Sequence, residues 1–296
     1  MTPFARSFAR LFVPLAVAIL LGKHIHSEFR ARIERERIVV NETLGVGLAS
    51  GVLNRRLQVV VSDLLALAGS SDLHALANHP DPAARTRVID DFIAFSRAKP
   101  AYDRVRWIGR DGYEVARVDH QDGTPADVDR APPAYLGDRY YFTETMALAP
   151  QEIFVSALDL SIEHGELEQP YKPMLRVATP VAGNGNETLG TLVLNYRAND
   201  MLDLVRTVST PASKHLAVVN QDGYYVLAPD RADEWGFMLE RSEATLAHRH
   251  PSSWARMLAA GKGQFEDADG LWTFETVHPL RAARAGRGPA PDPGPE

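Results

Sequence analysis

From His26 to Leu76 the sequence holds no proline, and apolar residues recur at helical spacing throughout. Phe29, Ile33, Val40, Leu44 and Leu48 stand four or seven apart, and Leu53, Leu57, Val61, Leu64 and Leu65 continue the stripe. Such a run commits the chain to one long helix, a rod of roughly 70–80 Å at 1.5 Å per residue if unbroken. Its first half, around Glu28 to Arg37, is densely charged, which suits a solvated stalk or a coiled-coil flank. A lone helix cannot bury its own stripe, so it must pack on its own domain or on a second copy.

The segment ahead of it points to a membrane. Arg6 and Arg10 precede an uncharged run from Leu11 to Gly22, and Lys23 closes it. A bilayer span needs about 20 largely apolar residues. With Phe8 and Ala9 counted, and with Arg10 and Lys23 snorkelling to the interface, the run is short but workable. It reads as an anchor over residues 1–24 with a cytoplasmic N-terminus, or as a cleaved signal peptide. Lys23-His24-Ile25 follows the run, where a signal peptide would carry small residues. Both readings export the chain, and the anchor places its bulk outside the inner membrane. There are no cysteines, which excludes disulfides, thiolate zinc sites and thiol nucleophiles. The net charge of −6 gives no reason to expect nucleic acid as a partner.

After Pro80 and Pro82 a second helix runs to Lys99, burying Val88, Ile89, Phe92, Ile93 and Phe95. Then the period changes. Residues 103–109 and 113–119 alternate about Asp111-Gly112, a hairpin signature in which a two-residue turn takes its positive φ from Asp-Gly. A short helix over 138–149 and strands over 152–160, 173–182 and 188–196 follow, the last two joined by a turn at 183–187, and Asn199 caps a helix to about Val208. Beyond Pro211 a smaller unit repeats the device at Asp222-Gly223, adds helices near Ala244 to His248 and Ser252 to Leu258, and turns again at Asp269-Gly270. The fold class is α+β: a long stalk helix and two units centred on antiparallel sheets. The segments are the anchor (1–24), stalk (25–79), a larger unit (80–210), a smaller unit (211–280) and a disordered Pro/Gly tail (281–296).

Matching flanks about the two Asp-Gly turns, residues 105–115 and 216–226, point to a duplicated module. The order of anchor, long helix, large unit and small unit resembles the double Cache sensor domains of bacterial transmembrane receptors, and residues 138–146, 152–181 and 189–196 carry that likeness most specifically. The resemblance implies two PAS-like modules on one stalk helix, the larger lying farther from the membrane. It further implies a homodimer through the stalk, a small-molecule ligand, and no enzymatic activity or cofactor in the sensor itself. Receptors of this kind, feeding histidine kinases and diguanylate cyclases, continue into a second membrane helix and an output domain. No second apolar span and no kinase or cyclase motif is present up to Glu296, so a sensor portion without its output is expected.

In such modules the helix after the first hairpin supplies an arginine and aromatics that face the sheet, with the ligand between. Here that helix offers Arg139, Tyr140, Tyr141 and Phe142, whereas the family's amino-acid motif runs Arg, any residue, Trp, Tyr. A guanidinium fork suits a carboxylate, aromatic walls exclude water, and Asp159 suits an amine. The candidate ligand residues are Arg139, Tyr141, Asp159, Tyr171, Lys172 and Arg176. The competing reading packs Tyr140 and Phe142 in the core, pairs Arg139 with Asp138 or Glu144, and leaves Lys172 a solvated loop charge. No metal site is expected, because His-Glu-x-x-His is absent. Two alternatives remain: a secreted metal-dependent hydrolase using Glu163, His164 and Glu166, or a soluble periplasmic binding protein.

Overall fold

The computed structural model describes residues 3–121, 123–129, 131–163, 165–208 and 215–279, without the side chains of 3–11, 13–16, 121 and 163. The tail from 281 and the connection at 209–214 lie outside the described residues.

Helix α1 (Pro3–Ala68) has 66 residues and is roughly 100 Å long at 1.5 Å per residue. It changes surroundings along its length. Ile25, Phe29, Ile33, Ile38, Val40, Leu44 and Leu48 are exposed, whereas Val52, Leu57, Val60, Val61 and Leu64 are buried. The expected unbroken run to Leu76 ends at Ala68. Ser70 interrupts it by accepting the Leu73 N–H, which starts a new helix, α2 (Ser71–Asn78). Asp81 caps α3 (Pro82–Ala98) by accepting the Ala84 N–H at 2.8 Å, and α3 buries Val88, Ile89 and Phe92.

A sheet then forms from β1 (Tyr102–Gly109), β2 (Glu114–Gln121) and β3 (Thr124–Asp127). Helix α4 (Tyr140–Met146) and the short strands β4 (Phe154–Val155), β5 (Asp159–Leu160), β6 (Ile162–Glu163) and β7 (Glu166–Leu167) follow. The long pair β8 (Pro173–Ala182) and β9 (Thr188–Arg197) and helix α5 (Asn199–Val208) complete the larger unit. The seven-stranded sheet runs β3-β2-β1-β9-β8-β4, with β5 also on β8, and its pairings are antiparallel. Helices α1, α2, α3 and α5 cover one face, where Tyr102, Val105, Trp107, Val118, Val177, Leu192 and Leu194 form the core.

The smaller unit comprises β10 (Val218–Val219), β11 (Tyr225–Leu227), α6 (Leu246–Arg249), α7 (Pro251–Ala260), β12 (Lys262–Asp267) and β13 (Gly270–Glu275). Its strands form two separate hairpins among the described residues, joined by Tyr225, Leu246, Met257, Trp254, Phe265 and Trp272 rather than by one ladder. Strands of two or three residues at β10 and β11 offer too little backbone to bridge the hairpins. Val226, Leu227 and Trp235 reach into the larger unit's core, so the two units are packed together.

The repeated turn is the same in both units. Gly109 N–H donates to Tyr113 C=O at 2.9 Å and Gly112 N–H to Gly109 C=O at 2.9 Å; Asn220 to Tyr224 and Gly223 to Asn220 repeat this at 2.9 and 3.0 Å. Gly112 and Gly223 hold φ 82° and 83°. The loop thus has three residues with one left-handed glycine at its end, rather than the expected two-residue turn, so the aspartate is spared positive φ. Each turn also receives a downstream segment at the same place: Leu136 N–H donates to Gly112 C=O and Leu246 N–H to Gly223 C=O, both at 2.8 Å. In each case a helix follows. A shared turn, dock and helix is what duplication of one module leaves behind.

One polar contact ties α1 to the sheet. Asp63, buried on α1, accepts from Tyr102 Oη on β1 at 2.7 Å and pairs with Lys99 Nζ at 2.5 Å. Burial, with the Asp63 carboxylate beside it, pushes the Tyr102 hydroxyl well above the ordinary tyrosine range. Asp63→Ala leaves that hydroxyl buried without an acceptor, and denaturant titration should read a loss of about 1–3 kcal/mol.

Candidate functional site

The second face of the larger sheet is unlike the first. Alternation places Arg104, Arg106 and Ile108 of β1, Arg117 and Asp119 of β2, Val193 and Asn195 of β9, and Arg176 and Ala178 of β8 on it. Register aligns Asp119, Arg104, Asn195 and Arg176 in a single row across four strands. Arg106, Arg117, Glu114, Asp119 and Asn195 are all buried. The apolar part is small: Ile108, Ala178 and Val193 meet Tyr141 and Phe142 of α4 and Phe154 of β4. Burying charge costs free energy unless each group is paired, so this face is expensive as mere packing.

The pairing is dense. Asp119 accepts from Arg104 Nε at 2.7 Å and Nη2 at 3.0 Å, and from Arg117 Nε at 2.7 Å and Arg117 Nη2. Burial alone would raise its pKa, but the hydrogen bonds from Arg117 and Arg104 outweigh burial and hold the carboxyl below its usual range. Arg106 lies 3.1 Å from Glu114 through Nε and donates to Tyr141 Oη at 2.9 Å through Nη1. Its pKa is lowered to about 10, chiefly by burial, with Arg104 and Arg117 adding repulsion. Asn195 Oδ1 is buried and has no hydrogen-bond partner among the described residues.

At the edge of this face Arg176 Nη1 donates to both oxygens of Asp159, at 2.8 and 2.7 Å, and to Tyr140 Oη at 3.4 Å. Burial keeps the Asp159 carboxyl above its usual range despite Arg176, while Asp159 raises the arginine against its own burial. Two carboxylates on one face are therefore shifted in opposite directions. Asp119 is fully answered by two guanidiniums; Asp159 is answered by one.

The six residues singled out from sequence fall in four places. Asp159 and Arg176 are together, and Tyr141 lies above Arg106 on the same face. Arg139 is the N-cap of α4, without a side-chain capping bond, and is exposed. Lys172 is held between Asp103 at 3.3 Å and Glu168, two carboxylates that outweigh burial and raise its pKa. Tyr171 is 40% exposed and lines a different cleft, against α5 and the 231–241 loop. Sequence reading missed Arg104, Arg106, Glu114, Arg117, Asp119 and Asn195. Their signal was present as charge at alternate strand positions, which reads as a solvent face until something is known to cover it.

No group of three potential metal ligands occurs among the described residues. His164 and the Glu163 side chain of the alternative hydrolytic cluster lie outside them.

The family model described as the sensor domain of bacterial histidine kinases matches residues 53–284. The chain belongs to this family. No protein among those with curated functions matches its sequence. Solved structures share the fold of the sensor domain. A domain of a sensory box/GGDEF family protein from Vibrio parahaemolyticus is 23% identical, with TM-score 0.64, over 80% of this chain and 92% of that one. The extracellular domain of a protein described as a histidine kinase is 22% identical, with TM-score 0.60, over 78% and 85%. The ligand-binding domain of the Campylobacter jejuni chemoreceptor Tlp3, in complex with L-norvaline, is 13% identical, with TM-score 0.55, over 80% and 84%. At these identities the likeness concerns the fold of the sensor domain. The long helix and the sheet units of the sequence reading are thus those of a sensory domain.

Proposed function

We propose that this sensor domain detects a small carboxylate or amino acid held between α4 and the charged face of the larger sheet. One observation carries the reading: Asn195 Oδ1 lies buried and without a hydrogen-bond partner among the described residues, on a face that also carries Arg104, Arg106, Arg117 and Arg176. An anionic group from the ligand suits these guanidiniums, and Asn195 Oδ1 offers an acceptor to a ligand N–H. The same fold in chemoreceptor Tlp3 is described with L-norvaline and with isoleucine bound, which supports a ligand of amino-acid size. Arg176 and Asp159, at the half-buried edge, are the groups a ligand reaches first: its carboxylate takes the guanidinium and its ammonium takes the released Asp159. Arg139 then serves the rim rather than the floor.

The wider assignment follows from the same reading. Residues 1–24 anchor the chain in the inner membrane, 25–79 form the stalk, 80–210 the distal module and 211–280 the proximal one. The uncharged run Leu11–Gly22, exposed at Phe12, Val17, Ile19, Leu20 and Leu21, supports the anchor, although no helix among the described residues is long and apolar enough to cross a membrane by itself. The exposed stripe Phe29, Ile33, Val40, Leu44 and Leu48 supports pairing with a second copy. The sensor carries no reaction of its own and passes its state to an output domain.

The test is calorimetric titration of the full chain in detergent with amino acids and with mono- and dicarboxylates. A bound ligand should lose about tenfold or more in affinity in Arg176→Ala, because a charge-assisted pair is removed. Unchanged affinity for every bound ligand in that variant, or binding by none of these ligands, defeats the assignment.

A further inference from the structure

A second cleft lies where the two units meet. Its walls are α5 and the Tyr171–Pro173 segment of the larger unit, and the 231–241 loop of the smaller. Its volume is about 570 Å3, within the usual range for a small-molecule site. Arg206, Arg231 and Arg241 line it, with Tyr171 and Trp235 as aromatic surfaces.

Two of these arginines have no carboxylate in ion-pair contact among the described residues. Arg206 is answered by Glu234 and, at 3.9 Å, by Asp203. Glu234 is further occupied by the Ala228 N–H at 3.0 Å. Arg241 is fixed by main-chain carbonyls alone, donating to Ala232 C=O and, at 2.7 Å, to Glu234 C=O, and its Nε is buried without a hydrogen-bond partner. Carbonyls orient a guanidinium but carry no counter-charge. Asp233, which also interacts electrostatically with Arg241, is engaged by both terminal nitrogens of Arg249 at 2.6 Å. Arg231 is exposed, and neither it nor Arg241 forms an ion pair with a carboxylate among the described residues.

The loop that presents them is strained. Trp235 holds φ 62° while buried, and Glu240 holds φ 57°, left-handed conformations that are costly for side-chain-bearing residues. Such strain persists where the surroundings over-determine it, and sites that hold ligands are one such place. The strained residues bracket the stretch that places Arg241 opposite α5.

We propose that this junction cleft is a second, separate ligand site, binding a small organic carboxylate through Arg231 and Arg241 with its apolar part against Trp235 and Tyr171. A ligand there touches both units at once, so its occupancy stiffens their junction without reference to the sheet face around Arg176.

The test titrates the full chain in detergent with benzoate, glutarate and inorganic phosphate, followed by calorimetry. Read in the Arg176→Ala background, which disables the sheet-face site, the expected result is binding of a carboxylate that weakens about tenfold when Arg231→Ala is added and is abolished when Arg231→Glu is added. The Arg231 side chain forms no hydrogen bond or ion pair among the described residues, so these variants remain folded, which circular dichroism verifies. In that background, carboxylate binding that survives Arg231→Glu, binding of phosphate alone, or no carboxylate binding at all each overturns the proposal.

Discussion

Asp119→Ala should destabilise the protein by about 3–5 kcal/mol, because breaking a buried ion pair strands the charges left behind. The side chain is only 5% exposed and is the common acceptor for Arg104 and Arg117. Removing it sets those two guanidiniums against each other beside Arg106, whose charge is already disfavoured by burial. Denaturant unfolding of wild type and variant measures the loss, and a change below about 1 kcal/mol would mean the face is wetter than its geometry implies. The same residue sets an acid dependence. Its folded pKa lies below the unfolded value, so its contribution is fully present above the ordinary aspartate pKa of about 3.9 and is lost as pH falls through the lower folded value. Asp159, shifted upward, acts with the opposite sign: its ionisation costs stability as pH rises through the window between its unfolded and folded values. Wild type should therefore lose stability below about pH 4 more steeply than Asp119→Ala does.

Leu64→Ala should cost about 2–5 kcal/mol, the range for truncating a fully buried leucine whose surroundings relax only in part. Leu64 is 0% exposed and packs in the cluster that joins α1 to the helix-covered face of the sheet. The prediction separates two views of the long helix. Were residues 49–68 a free stalk, the substitution would cost little, as an exposed position such as Leu44 should, at about 0.5 kcal/mol or less. Thermal melts of Leu64→Ala beside Leu44→Ala decide between them.

The helix illustrates what the sequence could convey. The period of Phe29 to Leu65 disclosed a helix and a stripe, but the stripe is the same whether solvent, a second copy or a sheet lies against it. Only tertiary packing divides it near Ala49, where exposure gives way to burial. The interruption at Ser70 was legible in principle, since a serine after glycine is a capping signal, yet it was masked by apolar spacing that continues through Leu73 and Leu76. The duplicated turn was fully visible because Asp-Gly chemistry is local. The charged face was not. Arg104, Arg106, Arg117 and Asp119 come together through pairings of β1 with β2 and with the distant β9, and α4, which reaches Arg106 through Tyr141, is set by a loop with no periodic signal. Arg139, conspicuous in sequence beside three aromatics, stands outside because it caps a helix rather than pointing from its inner side.

The contact of Asp63 with Tyr102 and Lys99 gives the long helix a mechanical key. Hydrophobic surfaces slide at modest cost; a carboxylate held by two donors from the adjoining segment does not. Tyr102 begins the strand that carries Arg104 and Arg106, so β1 and α1 share one fixed point. Axial travel of that strand therefore translates the rod with it, through residues distinct from those of the charged face.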